Sequence, residues 1–131
     1  PITQRKLEVG RQFAATVGWT FHLVTEKVLQ DGPLLRNGQL VNRYRQTQTD
    51  SSLLLTLGHS VCDRGTPLAD LCRSAQKHDV SSVRIHVFHL LANGDLAFDP
   101  RTEAIGDQTL IYSKGAITWD PFDSVWAPSG C

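Results

Sequence analysis

The stretch SSVRIHVFHLLANGDLAFD, residues 81–99, decides how the chain folds. A serine, Ser81 or Ser82, can cap a helix that follows it. Apolar residues then recur at helical spacing, which predicts a helix whose core face is Val83, Val87, Leu90 and Leu91. Asn93-Gly94 is a typical helix end. The run Leu96–Asp99 directly after it favours a strand.

Two more helices are predicted upstream of this stretch. Asp50-Ser51-Ser52 supplies an N-cap for a helix built on four leucines, Leu53, Leu54, Leu55 and Leu57. Thr66-Pro67 reads as the start of a second helix, because threonine is a capping residue and proline is favoured in the first turn. Its apolar face is Leu68, Leu71, Cys72 and Ala75. A short turn, His78-Asp79-Val80, separates the second helix from the third.

A second strand is predicted at residues 110–112, after a polar loop that contains Pro100, Gly106 and Asp107. Three helices, a short turn between the last two, and then a hairpin form the order of a winged helix-turn-helix. We therefore predict an α+β fold with a winged-helix domain at residues 50–113. An aromatic tail, residues 114–131, follows it.

The beginning of the chain, residues 1–30, is predicted to be a helix followed by a strand. Four apolar residues recur at helical spacing over residues 2–17, namely Ile2, Val9, Phe13 and Val17. Gly18 ends this helix. Residues 19–25 alternate and predict a strand with Trp19, Phe21 and Leu23 on one face. Because one helix cannot cover both faces of a strand, we expect this pair to leave apolar surface unburied.

Residues 31–49 are predicted to link these two parts. Asp31-Gly32-Pro33 is a turn, residues 34–45 form a helix, and the polar run 46–49 marks the domain boundary. The tail carries three large aromatic residues, Trp119, Phe122 and Trp126. Exposed aromatic residues are costly, so we expect this tail to dock on something.

The composition of the chain limits the classes of function that it can have. The chain has 131 residues, and 13 basic residues balance 13 acidic ones. Domains that bind DNA mainly through phosphates are usually basic, so DNA binding here would need a local patch. Three cysteines without a disulfide pattern, and no apolar run of about 20 residues, predict a cytoplasmic protein with no membrane partner. The chain lacks methionine and starts at Pro1, so either an initiator methionine was removed or the chain was cut from a longer protein.

No catalytic residue is predicted. The set His59, Cys62, Cys72 and His78 matches no common zinc spacing, and these residues are better interpreted as buried small thiols and ordinary histidines. There is no phosphate-binding loop and no nucleophile elbow. We therefore expect no metal or cofactor in this chain and no enzyme activity from it alone.

The outward side of the third helix is the candidate binding surface. A helical wheel places Ser82, Ile85, His89 and Ala92 outward, with Arg84 and His86 at the edges. This face is poor in residues that read bases, and an outward Ile85 fits a protein contact at least as well. The alternatives are specific DNA binding and a scaffold with a solvated face. The partner-binding candidates are Ile85, His89, Trp119, Phe122 and Trp126.

Basic residues outside this face could contact phosphate. Lys77 and His78 lie at the turn, and Arg101 and Lys114 lie in the wing. Arg36, Arg43 and Arg45 cluster on the linker helix; these side chains and those of Arg5, Lys6 and Arg11 are either solvated or in contact with a DNA backbone. The DNA-binding candidates are therefore Arg43, Arg45, Lys77, His78, Ser82, Arg84 and Arg101.

An ordered series of segments resembles one family. Lys6-Leu7-Glu8 and then residues 18–27 are similar to the last helix and strand of the TnsA endonuclease, the restriction-enzyme-like subunit of heteromeric transposases. Residues 34–44 are similar to its linker. Residues 90–99 are similar to its C-terminal winged helix. The resemblance covers roughly residues 5–113.

The resemblance implies a role in DNA transposition. The family's catalytic domain cuts one DNA strand at each transposon end with magnesium, and a partner transposase subunit cuts and joins the other strand. The family's C-terminal region engages an AAA+ ATPase regulator. The family's active-site carboxylates and glutamine-x-lysine motif precede the helix that starts near Lys6, so no catalytic residue is transferred to this chain. We expect a C-terminal regulatory fragment that binds a transposition protein, with a DNA-binding winged helix as the alternative.

Overall fold

The computed structural model describes residues 2–30 and 32–117. Its elements in chain order are α1 (Ile2–Thr16), α2 (Glu26–Gln30), α3 (Leu34–Asn42), α4 (Ser51–Ser60), β1 (Thr66–Pro67), α5 (Leu68–Ser74), α6 (Val80–Ala92), β2 (Leu96–Ala97) and β3 (Leu110–Ser113). The strands form a small antiparallel sheet in the order β1–β3–β2. Helices packed with a small antiparallel sheet agree with the predicted α+β class.

Helix α6 lies at the centre of the core, and α3, α4 and α5 all pack against it. Its predicted core face is confirmed, because the four apolar residues named for it are all buried: Val83, Val87, Leu90 and Leu91. The predicted start of the helix was wrong by two or three residues. Asp79, rather than Ser81 or Ser82, is the N-cap residue, because its backbone is extended and its carbonyl oxygen already accepts a hydrogen bond from the Val83 amide.

The predicted end of α6 is confirmed. Gly94 has a φ of +77°, a conformation that glycine adopts without steric cost. Its amide donates to the carbonyl oxygen of Leu91, and the Asp95 amide donates to that of Leu90. This pair of bonds satisfies the last carbonyls of the helix, so the chain can leave it and enter β2 at once.

The predicted cap of α4 is also confirmed. The Asp50 carboxylate accepts hydrogen bonds from the Ser52 hydroxyl at 2.7 Å and from the Ser52 amide at 2.9 Å. These bonds hold the pKa of the Asp50 carboxyl below its usual value. The helix buries Leu53 and Leu57 in the core, whereas Leu55 remains 66 % exposed.

The second predicted helix is present as α5, but the roles predicted at its start were wrong by one residue: Pro67, and not Thr66, is the N-cap residue. The two residues form β1, with Thr66 opposite Ile111 and Pro67 opposite Leu110, and α5 begins at Leu68. The Thr66 hydroxyl accepts a hydrogen bond from the Cys62 amide, so it is engaged by the preceding loop instead of capping α5. The second predicted hairpin strand is present as β3, and the first is present as the shorter β2.

The strand predicted at residues 19–25 is wrong: the structure gives this segment no regular secondary structure. Among the described residues no strand lies beside it to pair with, and it folds back on α1 instead. The Trp19 amide donates to the Ala14 carbonyl oxygen at 2.8 Å, and the Phe21 ring packs beside Gly10 and under the Arg11 guanidinium.

The apolar stripe of α1 remains exposed. All four of its residues are exposed, namely Ile2, Val9, Phe13 and Val17, and so is Trp19, which packs edge-on against Phe13. The expectation that this part of the chain leaves apolar surface unburied is therefore confirmed.

Candidate interaction surface

Helix α3 and the residues after it cover much of the outward side of α6. The Tyr44 ring lies 5.5 Å from the Phe88 ring, measured between centroids. The Nδ1 atom of His89 lies 2.9 Å from the Tyr44 carbonyl oxygen. Further along, the side-chain amide of Asn93 donates to the Arg45 carbonyl oxygen. The segment assigned to a linker thus packs directly on the helix that was expected to face a ligand.

Asn37 fixes α3 in this position. Its side chain is buried, with only 2 % of the residue exposed. Its amide nitrogen donates to the carbonyl oxygens of Pro100 at 3.0 Å and Glu103 at 2.8 Å, and its amide oxygen accepts from the Ile105 amide at 3.1 Å. Sequence reasoning missed this residue, although its helical spacing with Val41 and Tyr44 places it on the face of α3 that packs.

The candidates for partner binding on α6 are less open than the helical wheel predicts. Ile85 and His89 are both only partly exposed, and the His89 ring is engaged by Tyr44. His86, predicted at the edge, is buried instead. Its Nε2 accepts from the Asp50 amide, because the chain between α3 and α4 passes over this side of α6. The aromatic candidates Trp119, Phe122 and Trp126 lie outside the described residues.

Two of the candidates for DNA binding are held in ion pairs within the fold. The Arg84 guanidinium pairs with the Asp107 carboxylate. The Arg101 guanidinium donates to both oxygens of Asp99 at 2.9 Å. These bonds hold the pKa of the Asp99 carboxyl below its usual value. Each arginine is therefore already bound to a carboxylate of the loop between β2 and β3.

The remaining basic candidates are distributed over separate places. Lys77 and the half-buried His78 line a groove of about 460 Å³, whose other lining residues are Ser52, Leu53, Thr56, Ser74, Ala75 and Gln76. Arg43 and Arg45 are exposed at the end of α3, and Ser82 is half-buried at the start of α6. The structure thus divides the predicted cations between different surfaces.

An apolar groove opens between α4 and the end of α6. We call it the Leu55 groove; it has a volume of about 410 Å³ and is lined by Leu54, Leu55, Gly58, His59, Leu90, Asp95 and Leu96. Leu55 is one of the four leucines on which the helix α4 is predicted to be built, but the Leu55 side chain is exposed at the edge of this groove. An apolar concave surface with few polar groups is typical of a binding site for apolar side chains.

Within residues 2–30 and 32–117, no three side chains of His, Cys, Asp or Glu are grouped so that they could hold a metal ion. The prediction of buried thiols was wrong for Cys62, which is exposed; a hydrogen bond from Thr66 lowers the pKa of its thiol. Cys72 is buried in the core, and burial raises the pKa of its thiol. The two thiols thus differ in reactivity without forming a common site.

Two more findings bear on the class of protein. Across the part of the chain that the structure describes, none of the helices combines the length and the apolar character needed to cross a membrane. In comparisons with known proteins, the chain matches no protein-family model, no curated protein and no solved structure.

Proposed function

We propose that residues 34–117 form a winged-helix interaction module of a TnsA-like transposon endonuclease subunit. In this proposal the module binds a protein of the transposition machinery, either the ATPase regulator or the transposase subunit. The order α4–β1–α5–α6–β2–β3, with the hairpin directly after α6, supports the winged-helix assignment. The sequence resemblance described above supports the assignment to transposition.

The observation that carries the proposal is the covered face of α6. A recognition helix reads DNA by placing its outward residues in the major groove. Here Tyr44 packs on Phe88 and contacts His89 on that side of the helix. Arg84 is paired with a carboxylate, and the chain carries no net charge. These features favour a protein partner over sequence-specific DNA.

The Leu55 groove is the surface that we assign to the partner. Leu55 is a large apolar residue left exposed beside a concave apolar surface, and burying it would be favourable. Only His59 and Asp95 add ionisable side chains to the lining. The groove therefore suits an apolar or aromatic side chain presented by a helix or an extended segment of the partner.

A binding titration tests this proposal. The intact chain is titrated with the ATPase regulator and with the transposase subunit of the same transposon. We expect Leu55→Asp to weaken binding of one of them at least tenfold, which corresponds to about 1.4 kcal/mol. Val80→Asp is the matched control, because Val80 is also apolar and exposed but does not line the groove. Equal affinities for the two variants would reject the groove, and no binding by the unmodified chain would reject the function.

The alternative function is DNA binding through α3 instead of α6. The helix that packs on α6 carries three exposed arginines on it or just after it, namely Arg36, Arg43 and Arg45. A DNA backbone that approaches this side of the module would therefore contact these arginines before it contacts α6. Phosphate contacts release counterions, so this binding would weaken steeply with salt. We would measure anisotropy of a labelled transposon-end duplex, comparing the intact chain with a triple alanine variant of these arginines. No binding at low salt, or no difference between the two proteins, would reject the alternative.

A further inference from the structure

The Leu55 groove has a candidate occupant in the chain itself. We propose that it binds the aromatic segment 118–126, and that a protein partner must displace this segment to reach the groove. The displacement rests on the function proposed above. The binding of the segment to the groove does not, and it is measured without any partner.

Strand β3 delivers the chain to the groove. Ser113 lies opposite Leu96 in the β2–β3 ladder, and Leu96 is one of the groove's lining residues. After Ser113 the chain turns, with Gly115 at a φ of +80° and the Ala116 amide donating to the Ser113 carbonyl oxygen at 3.0 Å. This turn keeps the end of the described chain beside the wall of the groove that β2 provides.

The segment that follows has the reach and the chemistry for this groove. Trp119 lies six positions after Ser113 and three after Ala116, which closes the turn, and an extended chain covers about 3.5 Å per residue, so Trp119 lies within about 10 Å of the turn that begins beside Leu96. Trp119, Phe122 and Trp126 fall within eight residues. Large aromatic side chains gain most from covering apolar walls such as those of Leu55 and Leu90.

Its covalent attachment favours the segment 118–126 over a separate molecule as the occupant of the groove. Because the segment is joined to a strand that borders the groove, its effective concentration there is in the millimolar range or above, on the order expected for a short linker. A second copy of the chain or a partner protein would have to compete with that concentration. We therefore assign the groove to the segment of the same chain.

Tryptophan fluorescence of the intact chain tests the proposal. The chain has three tryptophans, and Trp19→Phe leaves only Trp119 and Trp126. In this background we expect emission at shorter wavelength than that of free tryptophan. Adding Leu55→Asp should shift it to longer wavelength and raise acrylamide quenching by about twofold or more, since aromatic burial is lost. Adding Val80→Asp should change neither quantity, because Val80 lies outside the groove.

Three outcomes would overturn the proposal. Emission and quenching equal to those of free tryptophan in all variants would show that the segment is not bound. A wavelength shift that is the same with Leu55→Asp would place the segment elsewhere. A shift that disappears on dilution would assign the groove to the segment of a second copy.

A second measurement covers the case in which Leu55→Asp fails to fold. Replacing Trp119 and Phe122 together by serine should raise hydrogen exchange at the α4 residues that line the groove, Leu54, Leu55, Gly58 and His59, while the α6 core stays protected. Unchanged exchange there would reject the binding of the segment. If the segment binds but Leu55→Asp leaves partner affinity unchanged, the proposed function fails while this inference stands.

Discussion

The side-chain amide nitrogen of Asn37 donates to the carbonyl oxygen of Pro100 at 3.0 Å, and the two residues lie 63 positions apart in the chain. The same side chain also bonds Glu103 and Ile105. One buried amide therefore joins α3 to the loop between β2 and β3. Because α3 in turn packs on α6, this amide helps to keep the outward face of α6 covered.

Asn37→Ala should lower the free energy of unfolding by about 2–3 kcal/mol, since it leaves two carbonyl groups and one amide without their partner. Urea denaturation would measure this loss. Asn42→Ala is the matched control, because Asn42 is exposed at the end of the same helix, and we expect a change within about 0.5 kcal/mol. Similar losses for both variants would contradict the anchoring role of Asn37.

Leu53→Ala and Leu55→Ala should differ sharply although the two leucines lie in one run. Leu53 is 1 % exposed in the core, so its truncation should cost about 2–5 kcal/mol. Leu55 projects from the helix, so its truncation should cost less than about 1 kcal/mol. The two midpoints of chemical denaturation give the comparison, and equal losses would mean that the burial of α4 is assigned to the wrong face.

Gly65→Ala should destabilise the fold by about 1–3 kcal/mol. Gly65 has a φ of +96°, and an added Cβ would lie 2.8 Å from the Tyr112 ring. Gly38→Ala is the control within a helix, where a Cβ meets nothing within 4 Å; we expect it to stabilise the protein by about 0.5–1 kcal/mol. Thermal unfolding midpoints that move in the same direction for both variants would contradict this prediction.

Asp99 should contribute to the loss of stability in acid. Its hydrogen bonds with Arg101 lower the pKa of its carboxyl from the ordinary value of 3.8. A lowered pKa stabilises the fold above the unfolded value, and this contribution is lost as the pH falls through the lower folded value. Asp99→Asn should therefore reduce the dependence of the melting temperature on pH below about 4. Asp63→Asn, at an exposed loop position, should leave the slope as it is.

Local signals in the sequence determined the helices. Asp50 caps α4 and Gly94 ends α6, as predicted, and the spacing of Val83, Val87 and Leu91 gave the core face of α6 correctly. Helical hydrogen bonds and caps join residues a few positions apart, so the information is contained in a short window. Strand β2 was predictable for the same reason, since Leu96 follows a helix end directly.

Only the tertiary structure decided the conformation of Thr66-Pro67 and of residues 19–25. Thr66-Pro67 is a strand because β3 lies beside it, and residues 19–25 are not a strand because none of the described strands lies beside them. A ladder needs a partner from elsewhere in the chain, so local preference alone cannot fix it.

The candidate surface depended on tertiary structure in the same way. Whether a leucine of α4 lies in the core or lines the groove depends on where α6 and β2 lie. The side of α6 that is open on a helical wheel is in contact with Tyr44 and Arg45 in the fold. The sequence by itself determined the helices α1, α3, α4, α5 and α6 and their order, because their bonds are local, but it did not predict the short α2. The packing of distant segments determined the strands, the covered face of α6 and the Leu55 groove, because burial is a property of the whole fold.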